Sequence, residues 1–165
     1  MPERSRLRVG LISDTHDLLR PEAVAFLRGA DHIVHAGDIV GPAILDQLAT
    51  LAPLTAVRGN NDRGHWAERL NEVEIVTLGG VTICAIHDLT RLEVDLAQAG
   101  VDVVVSGHSH RPRVERRHGA LFVNPGSAGP RRFRLPIAAA ELVIQGGEVS
   151  ARIVELESTV PGRPQ

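Results

Sequence analysis

Leu7-Arg8-Val9-Gly10-Leu11-Ile12-Ser13-Asp14-Thr15-His16 is an apolar run that ends abruptly in an acid and an imidazole. Leu7 to Ser13 is short and apolar enough to be a central strand, covered on both faces. Asp14 and His16 are two residues apart, so on a tight turn they aim the same way. The strand therefore delivers two chemical groups beyond its carboxyl end, where α/β sheets bind ligands.

The same arrangement recurs along the chain. His32 to Ala36 reads as a strand ended by Gly37-Asp38, and Leu54 to Val57 as one followed by Gly59-Asn60. Val81 to Ile86 precedes His87, and Val101 to Val105 precedes His108 and His110. Proline opens two helices between them, Glu22 to Arg28 after Pro21 and Pro42 to about Ala52. Leu89 to Ala99 reads as a third, ended by Gly100. Hairpins are expected at Val73–Leu78/Val81–Ile86, Val114–Arg117/Leu121–Val123 and Ile137–Ile144/Val149–Leu156, turning at Gly79-Gly80, His118-Gly119 and Gly146-Gly147. Strand–helix alternation in the first half favours parallel pairing, and the second half is richer in hairpins. An α/β fold of two mixed β-sheets packed face to face as a sandwich, flanked by helices, accommodates both. The expected organisation is one domain over 1–165, with a core of about 7–156 and a loose polar tail at 157–165.

Composition narrows the function. The chain has 165 residues, 43% hydrophobic and 2% aromatic, so its core must be built from Val, Ile, Leu and Ala. The aromatics are Phe26, Trp66, Phe122 and Phe133, too few to form stacking platforms for single-stranded nucleic acid. A net charge of −2 gives no broad attraction to nucleic acid or to an anionic membrane. No run approaches the roughly 18 apolar residues of a membrane span. The basic start, Met1 to Arg6, is followed by an apolar stretch that Asp14 interrupts, which makes a poor signal peptide. The lone Cys84 fits a reducing compartment. A cytoplasmic location is expected.

The strand-end residues Asp14, His16, Asp38, Asn60, His87, His108 and His110 are four imidazoles, two carboxylates and an amide, with no thiolate. Such a nitrogen–oxygen set suits Mn, Fe, Zn, Ni or Co. Seven ligands exceed the needs of one tetrahedral ion and suffice for two. Asp38, with two carboxylate oxygens, is the natural bridge. Two ions about 3.5–4 Å apart clamp a phosphate and lower the pKa of a shared water. Backbone N–H groups of Gly126 and Ser127, in Asn124-Pro125-Gly126-Ser127, offer a small anion nest.

Asp14-x-His16, Gly37-Asp38, Gly59-Asn60-x-Asp62, His87 and Gly107-His108-Ser109-His110, in that order, resemble the five blocks of the calcineurin-like metallophosphoesterases. The short length and Asn124-Pro125-Gly126-Ser127 resemble the compact phosphodiesterase branch typified by the bacterial YfcE proteins. The resemblance implies an αββα sandwich and divides the ligands. Asp14, His16 and His110 hold one ion, Asn60, His87 and His108 the other, and Asp38 both. It implies Mn²⁺-dependent hydrolysis of a small phosphoester, with Asp38, Asn60 and His108 as the catalytic set and homo-oligomers in some relatives. Many relatives carry His after Gly-Asn, where this chain has Asn61; Asn61 and Asp62 are grouped with the substrate contacts, beside Gly126 and Ser127. Protein phosphatases carry Arg shortly after the second-block Asp, and Asp38-Ile39-Val40-Gly41 has none. The rival from another class is a scaffold that uses this fold for protein binding, as the retromer subunit does; complete ligands favour the enzyme.

Other residues are expected in plainer roles: His35 in the core, His32, His65 and His118 at the surface, Asp88 capping the helix that follows, and Cys84 buried. The arginines around Arg111–Arg117 and Arg131–Arg134 read as solvated faces. Trp66 reads equally as a core anchor or a partner contact.

Overall fold

The computed structural model describes residues 6–156. Strand alternation sorts the side chains before any helix is placed. In β1 (Arg6–Ile12), Val9 and Leu11 join the inner core, while Ile12 joins the cluster on the opposite face. Gly10 also lies on that opposite face, where an added Cβ would collide with Leu27 of helix α1 (Pro21–Leu27).

The first sheet runs β10-β9-β1-β2-β3, and the second β4-β5-β6-β8-β7. In the first, β1 pairs parallel with β2 (His32–His35), which pairs parallel with β3 (Leu54–Ala56). On its other edge β1 pairs antiparallel with β9 (Ala138–Gln145), and β9 with β10 (Glu148–Glu155). In the second, β5 (Val81–Ile86), β6 (Val103–Val105) and β8 (Ala120–Asn124) are parallel neighbours. They are flanked by antiparallel β4 (Val73–Leu78) and β7 (Arg113–Arg117).

Between the sheets lie Val9, Leu11, Val34, Ala140, Leu142 and Ile144 from one side and Val81, Ile83, Val103, Val105, Leu121 and Val123 from the other. This inner core is wholly aliphatic, as the aromatic-poor composition requires. Helices α1 and α2 (Pro42–Ala49) cover the outer face of the first sheet through Leu27, Ile44 and Leu48. Trp66 packs into that same outer cluster, which resolves its role as a core anchor. Cys84 is buried in a smaller cluster with Ile86, Val101 and Val104. All three hairpin turns have positive φ at both central residues: 55° and 81° at Gly79-Gly80, 51° and 80° at His118-Gly119, 62° and 78° at Gly146-Gly147. Two-residue turns of that hand match the twist of the strands they join.

Four expectations need correction. The helix expected over Leu89 to Ala99 is a 3₁₀ turn, Leu89–Arg91, and a separate α4, Leu96–Ala99. Two acids cap two starts: Asp88 accepts from Thr90 N–H at 3.0 Å and Asp95 from Gln98 N–H at 3.1 Å. Side-chain capping competes with a continuous helix through β-branched Val94. Helix α2 stops at Ala49 rather than near Ala52, where the Thr50 hydroxyl donates to the Gln47 carbonyl at 2.6 Å. A one-turn helix α3, His65–Glu68, fills part of the loop after Asn60. His32 is half-buried, not a surface residue; its Nε2 lies 2.7 Å from Thr55 Oγ1 across β2 and β3. The expected tail lies outside the described residues. Among those described, no helix is long and apolar enough to cross a membrane.

Candidate metal centre

The strands that carry the expected ligands end at one rim of the sandwich, and hydrogen bonds bind their loops together. Asp14 N–H donates to Gly37 O and His16 N–H to Asp38 O, each at 3.0 Å, joining the loops after β1 and β2. Gly107 N–H donates to His87 O at 3.0 Å, joining those after β6 and β5. His87 Nδ1 lies 2.8 Å from Ala36 O, bridging the sheets. That bond makes Nδ1 the protonated nitrogen and turns the Nε2 lone pair toward the other ligands.

All seven expected ligands converge. His110 Nε2 lies 3.4 Å and His16 Nε2 3.8 Å from Asp14 Oδ1. Asp38 Oδ2 sits between His16 Nε2 at 3.6 Å and His87 Nε2 at 3.3 Å. His108 Nδ1 lies 3.2 Å from Asn60 Oδ1 and 3.3 Å from His87 Nε2. Two overlapping sets with metal-ligand spacing result, Asp14/His16/His110 and Asp14/Asp38/His87. Asp14 thus reaches both sets, since its Oδ1 is also 3.9 Å from His87 Nε2.

The donor chemistry fits a cation. Asp14 Oδ1 and His16 Nε2 are buried and have no hydrogen-bond partner, although they face one another and His110. Buried polar atoms are nearly always satisfied, and leaving one unpaired costs about 1–3 kcal/mol. Burial opposes ionisation of Asp14 and Asp38, but hydrogen bonds and imidazoles outweigh it and hold both carboxyls below the usual range. For Asp38 the donors include His87 and the backbone and side-chain amides of Asn61. Burial lowers the pKa of His16, and the charge of Arg132 adds to that effect against the pull of Asp38 and Asp14. In His87, by contrast, the two carboxylates outweigh burial and raise the pKa. The Asp14 and Asp38 carboxylates attract whatever positive charge is available, proton or metal ion.

The rim is backbone-strained. Asp14, His16, Asp38, His108 and His110 all have φ between 44° and 72°. Left-handed backbone is uncommon outside glycine and concentrates at functional sites. Glycine is required where loops touch: a Cβ on Gly59 would strike Asp38, and one on Gly107 would strike Ser13 and Asp14.

Several residues grouped with the substrate are hydrogen-bonded to the site's own loops. Asp62 is 5% exposed; it accepts from Asp38 N–H and Gly59 N–H through Oδ2, at 3.0 and 2.8 Å, and from Val40 N–H through Oδ1 at 2.8 Å. It staples the Asp38 loop to the Asn60 loop. Asn61 donates to both Asp38 oxygens at 2.9 Å, one bond from its backbone and one from its amide. Gly126 N–H is committed to Asn124 Oδ1 at 2.9 Å, so that half of the expected nest is occupied. Ser127 Oγ donates to Asp14 O at 3.1 Å.

Sequence reasoning passed over three supporting groups. Ser13 Oγ donates to Asp14 Oδ2 at 2.7 Å, and its position beside Asp14 was the available signal. Thr15 Oγ1 lies 3.0 Å from His35 Nε2 and 3.2 Å from Ile39 O. Asn124 Nδ2 donates to Gly107 O at 3.0 Å, steadying the turn that carries His108 and His110. His35 is fully buried with Gly37 N–H on its Nδ1, so it is a neutral core histidine whose pKa burial pushes down to about 4.

A family model described as "Calcineurin-like phosphoesterase superfamily domain" matches residues 7–147. The chain belongs to the calcineurin-like phosphoesterase superfamily. Members of this superfamily depend on metal ions, and the two ligand sets lie on the rim expected from its five blocks. A "Probable metallophosphoesterase" of Methanothermobacter thermautotrophicus is 37% identical, covering 92% of this chain and 94% of its own. A protein of Methanocaldococcus jannaschii named as a phosphodiesterase is 28% identical over 73% of this chain and 83% of its own. Together they support a phosphoesterase. The Vacuolar Protein Sorting 29 structure from Cryptosporidium parvum shares the fold with a TM-score of 0.73 at 19% identity, covering 93% of this chain and 99% of that one.

Proposed function

We propose that this calcineurin-like phosphoesterase is a two-metal phosphodiesterase. The observation that carries the reading is the convergence of buried, unpartnered Asp14 Oδ1 and His16 Nε2 with His110, one step from Asp38, His87, Asn60 and His108. In this reading Asp14, His16 and His110 hold one divalent ion, Asn60, His87 and His108 the second, and Asp38 both, with Mn²⁺ the expected metal. Such a pair neutralises the phosphate and generates a nucleophile from water at neutral pH.

The chain's own residues then set the orientation of the ester. Asn60 and His108 are exposed, so they form the face that meets it, with Asp38 between the two halves. Asp62 is buried and fixes Asp38 rather than touching the substrate, while Asn61 hydrogen-bonds Asp38 and stays exposed beside Asn60. Asn61 replaces a potential proton donor with an amide, so a poor leaving group receives no proton from that position. Activated diesters are therefore the best substrates, and the rate falls steeply as leaving-group pKa rises.

Elemental analysis followed by a panel of substituted aryl diesters tests the reading. Two ions per chain with steep leaving-group dependence is expected. Two bound ions without turnover on any ester would sink it, and so would a flat dependence at a chemistry-limited rate. A protein that holds no metal and hydrolyses nothing belongs instead with the scaffold use of the fold.

A further inference from the structure

The stretch from residue 128 to 137 is held at its neck by the metal-centre loops. Ala138 N–H donates to Ser127 O at 2.9 Å, and Ser127 bridges to Ile137, which closes the loop. Ala128 N–H donates to Ser13 O at 3.0 Å, next to the ligand Asp14. Arg20 Nε donates to Gly129 O at 3.0 Å, and a Cβ on Gly129 would collide with the Thr15 carbonyl. The loop is thus registered against the segment that supplies Asp14 and His16.

Its outer part is Arg131-Arg132-Phe133-Arg134, all exposed. Phe133 is 93% exposed, at a left-handed φ of 54°, whereas Phe26, Trp66 and Phe122 are half-buried. Among the aromatic residues, Phe133 alone leaves its ring face open to a ligand, and it does so between arginines. Among the described residues, none of these arginines, nor Arg111 beside His110, lies within ion-pair distance of a carboxylate. Arg111, Phe133, Arg134 and Leu135 line an open hollow of about 680 Å³. Arg132 is close enough for its charge to reach His16.

We propose that loop 128–137 is the substrate-recognition element of the metal centre, and that it takes a nucleoside phosphate. A flat base stacks on Phe133, and negative charge beyond the scissile phosphate lies against Arg131, Arg132 and Arg134. An aromatic face stacks any base, and guanidinium groups match phosphate oxygens. A single aromatic supports one base, not a strand. The proposal rests on the phosphodiesterase reading and names its substrate class.

The test uses two diesters with the same leaving group, the p-nitrophenyl diester of thymidylate and methyl p-nitrophenyl phosphate, with metal-loaded full-length protein. Phe133→Ala is expected to raise KM about tenfold for the thymidylate ester, the loss of one stacked base, with kcat little changed. The methyl ester is unaffected, and Phe133→Trp restores the parent KM. ADP inhibits more strongly than AMP, and Arg131→Ala with Arg134→Ala removes that difference. A KM change shared by both esters, or absent from both, overturns the proposal. So does sedimentation showing that Phe133→Ala only dissociates an oligomer, because the loop is then a contact between copies. If the parent turns over neither ester, the phosphodiesterase reading fails by itself. Equilibrium dialysis of ADP then decides the loop: binding weakened about tenfold by Phe133→Ala supports it, and unchanged binding overturns it.

Discussion

The two halves of the metal centre use similar ligands in unlike surroundings. Asp14 and His110 are 0% and 3% exposed, with His16 half-buried beside them, whereas in the other half only His87 is buried, at 3%, and Asn60 and His108 are exposed. The deep half is braced by Ser13, Ser127 and the neck of the 128–137 loop. The open half has its exposed members beside one another, His108 Nδ1 within 3.2 Å of Asn60 Oδ1. A buried, braced ligand set is organised before its ion arrives and holds it tightly. A set with two exposed members keeps more water at its ion and exchanges that ion more readily. The difference suggests a division of labour, with one half retaining a cation and the other meeting the ester.

Substitution of single ligands is the most direct way to break that comparison. His110→Ala is expected to empty the deep half and remove at least about a thousandfold of kcat/KM, some 4 kcal/mol of transition-state stabilisation. His108→Ala is expected to leave one ion bound per chain, with a loss nearer a hundredfold. The measurement is metal content by elemental analysis beside steady-state kinetics. Equal metal loss in the two variants would erase the distinction between the halves.

Asp62 sharpens the comparison without belonging to either ligand set. Its three backbone hydrogen bonds join the Asp38 loop, shared by both halves, to the Asn60 loop of the open one. Asp62→Ala is expected to weaken metal affinity about ten- to a hundredfold, as loss of a group supporting ligands does. Titration with Mn²⁺ followed by kinetics would show the second equivalent weakened more than the first. Uniform weakening would assign Asp62 to general stability.

The smallest effect, on activity near neutrality, concerns His35 beneath the deep half. Burial pushes its pKa down to about 4 from an ordinary value of 6.5. Between those values the unfolded chain binds a proton that the folded chain refuses, so stability falls as pH falls through that window. At about 1.4 kcal/mol per pH unit the loss is on the order of 3 kcal/mol, and above pH about 6.5 the group contributes no slope. Urea unfolding of metal-free protein and of His35→Gln between pH 4 and 7 checks this. Identical pH slopes would mean that His35 titrates normally in the fold.

Much of the site was legible because its signals are local. A strand that ends in Asp14-Thr15-His16 or Gly107-His108-Ser109-His110 declares both its direction and its ligands within ten residues. The hairpins at Gly79-Gly80 and Gly146-Gly147 were legible for the same reason, since the turn chemistry lies in the turn. Asp62 was misread because two of its three partners, Asp38 and Val40, are 24 and 22 residues away. The Leu89 to Ala99 segment was misread because two capping acids, Asp88 and Asp95, outweighed its apolar spacing.

Strand positions, the three hairpins, aliphatic core composition and the list of candidate ligands follow from the sequence, because periodicity and residue chemistry act over short spans of chain. The tertiary structure decided the strand order of each sheet and which ligands are deep and which are open, gave Asp14 a reach into both sets, turned Asp62 inward, tied Asn61 to Asp38, and brought the charge of Arg132 within reach of His16. Those outcomes depend on distances between segments far apart in the chain. Only the packing of one sheet against the other fixes them.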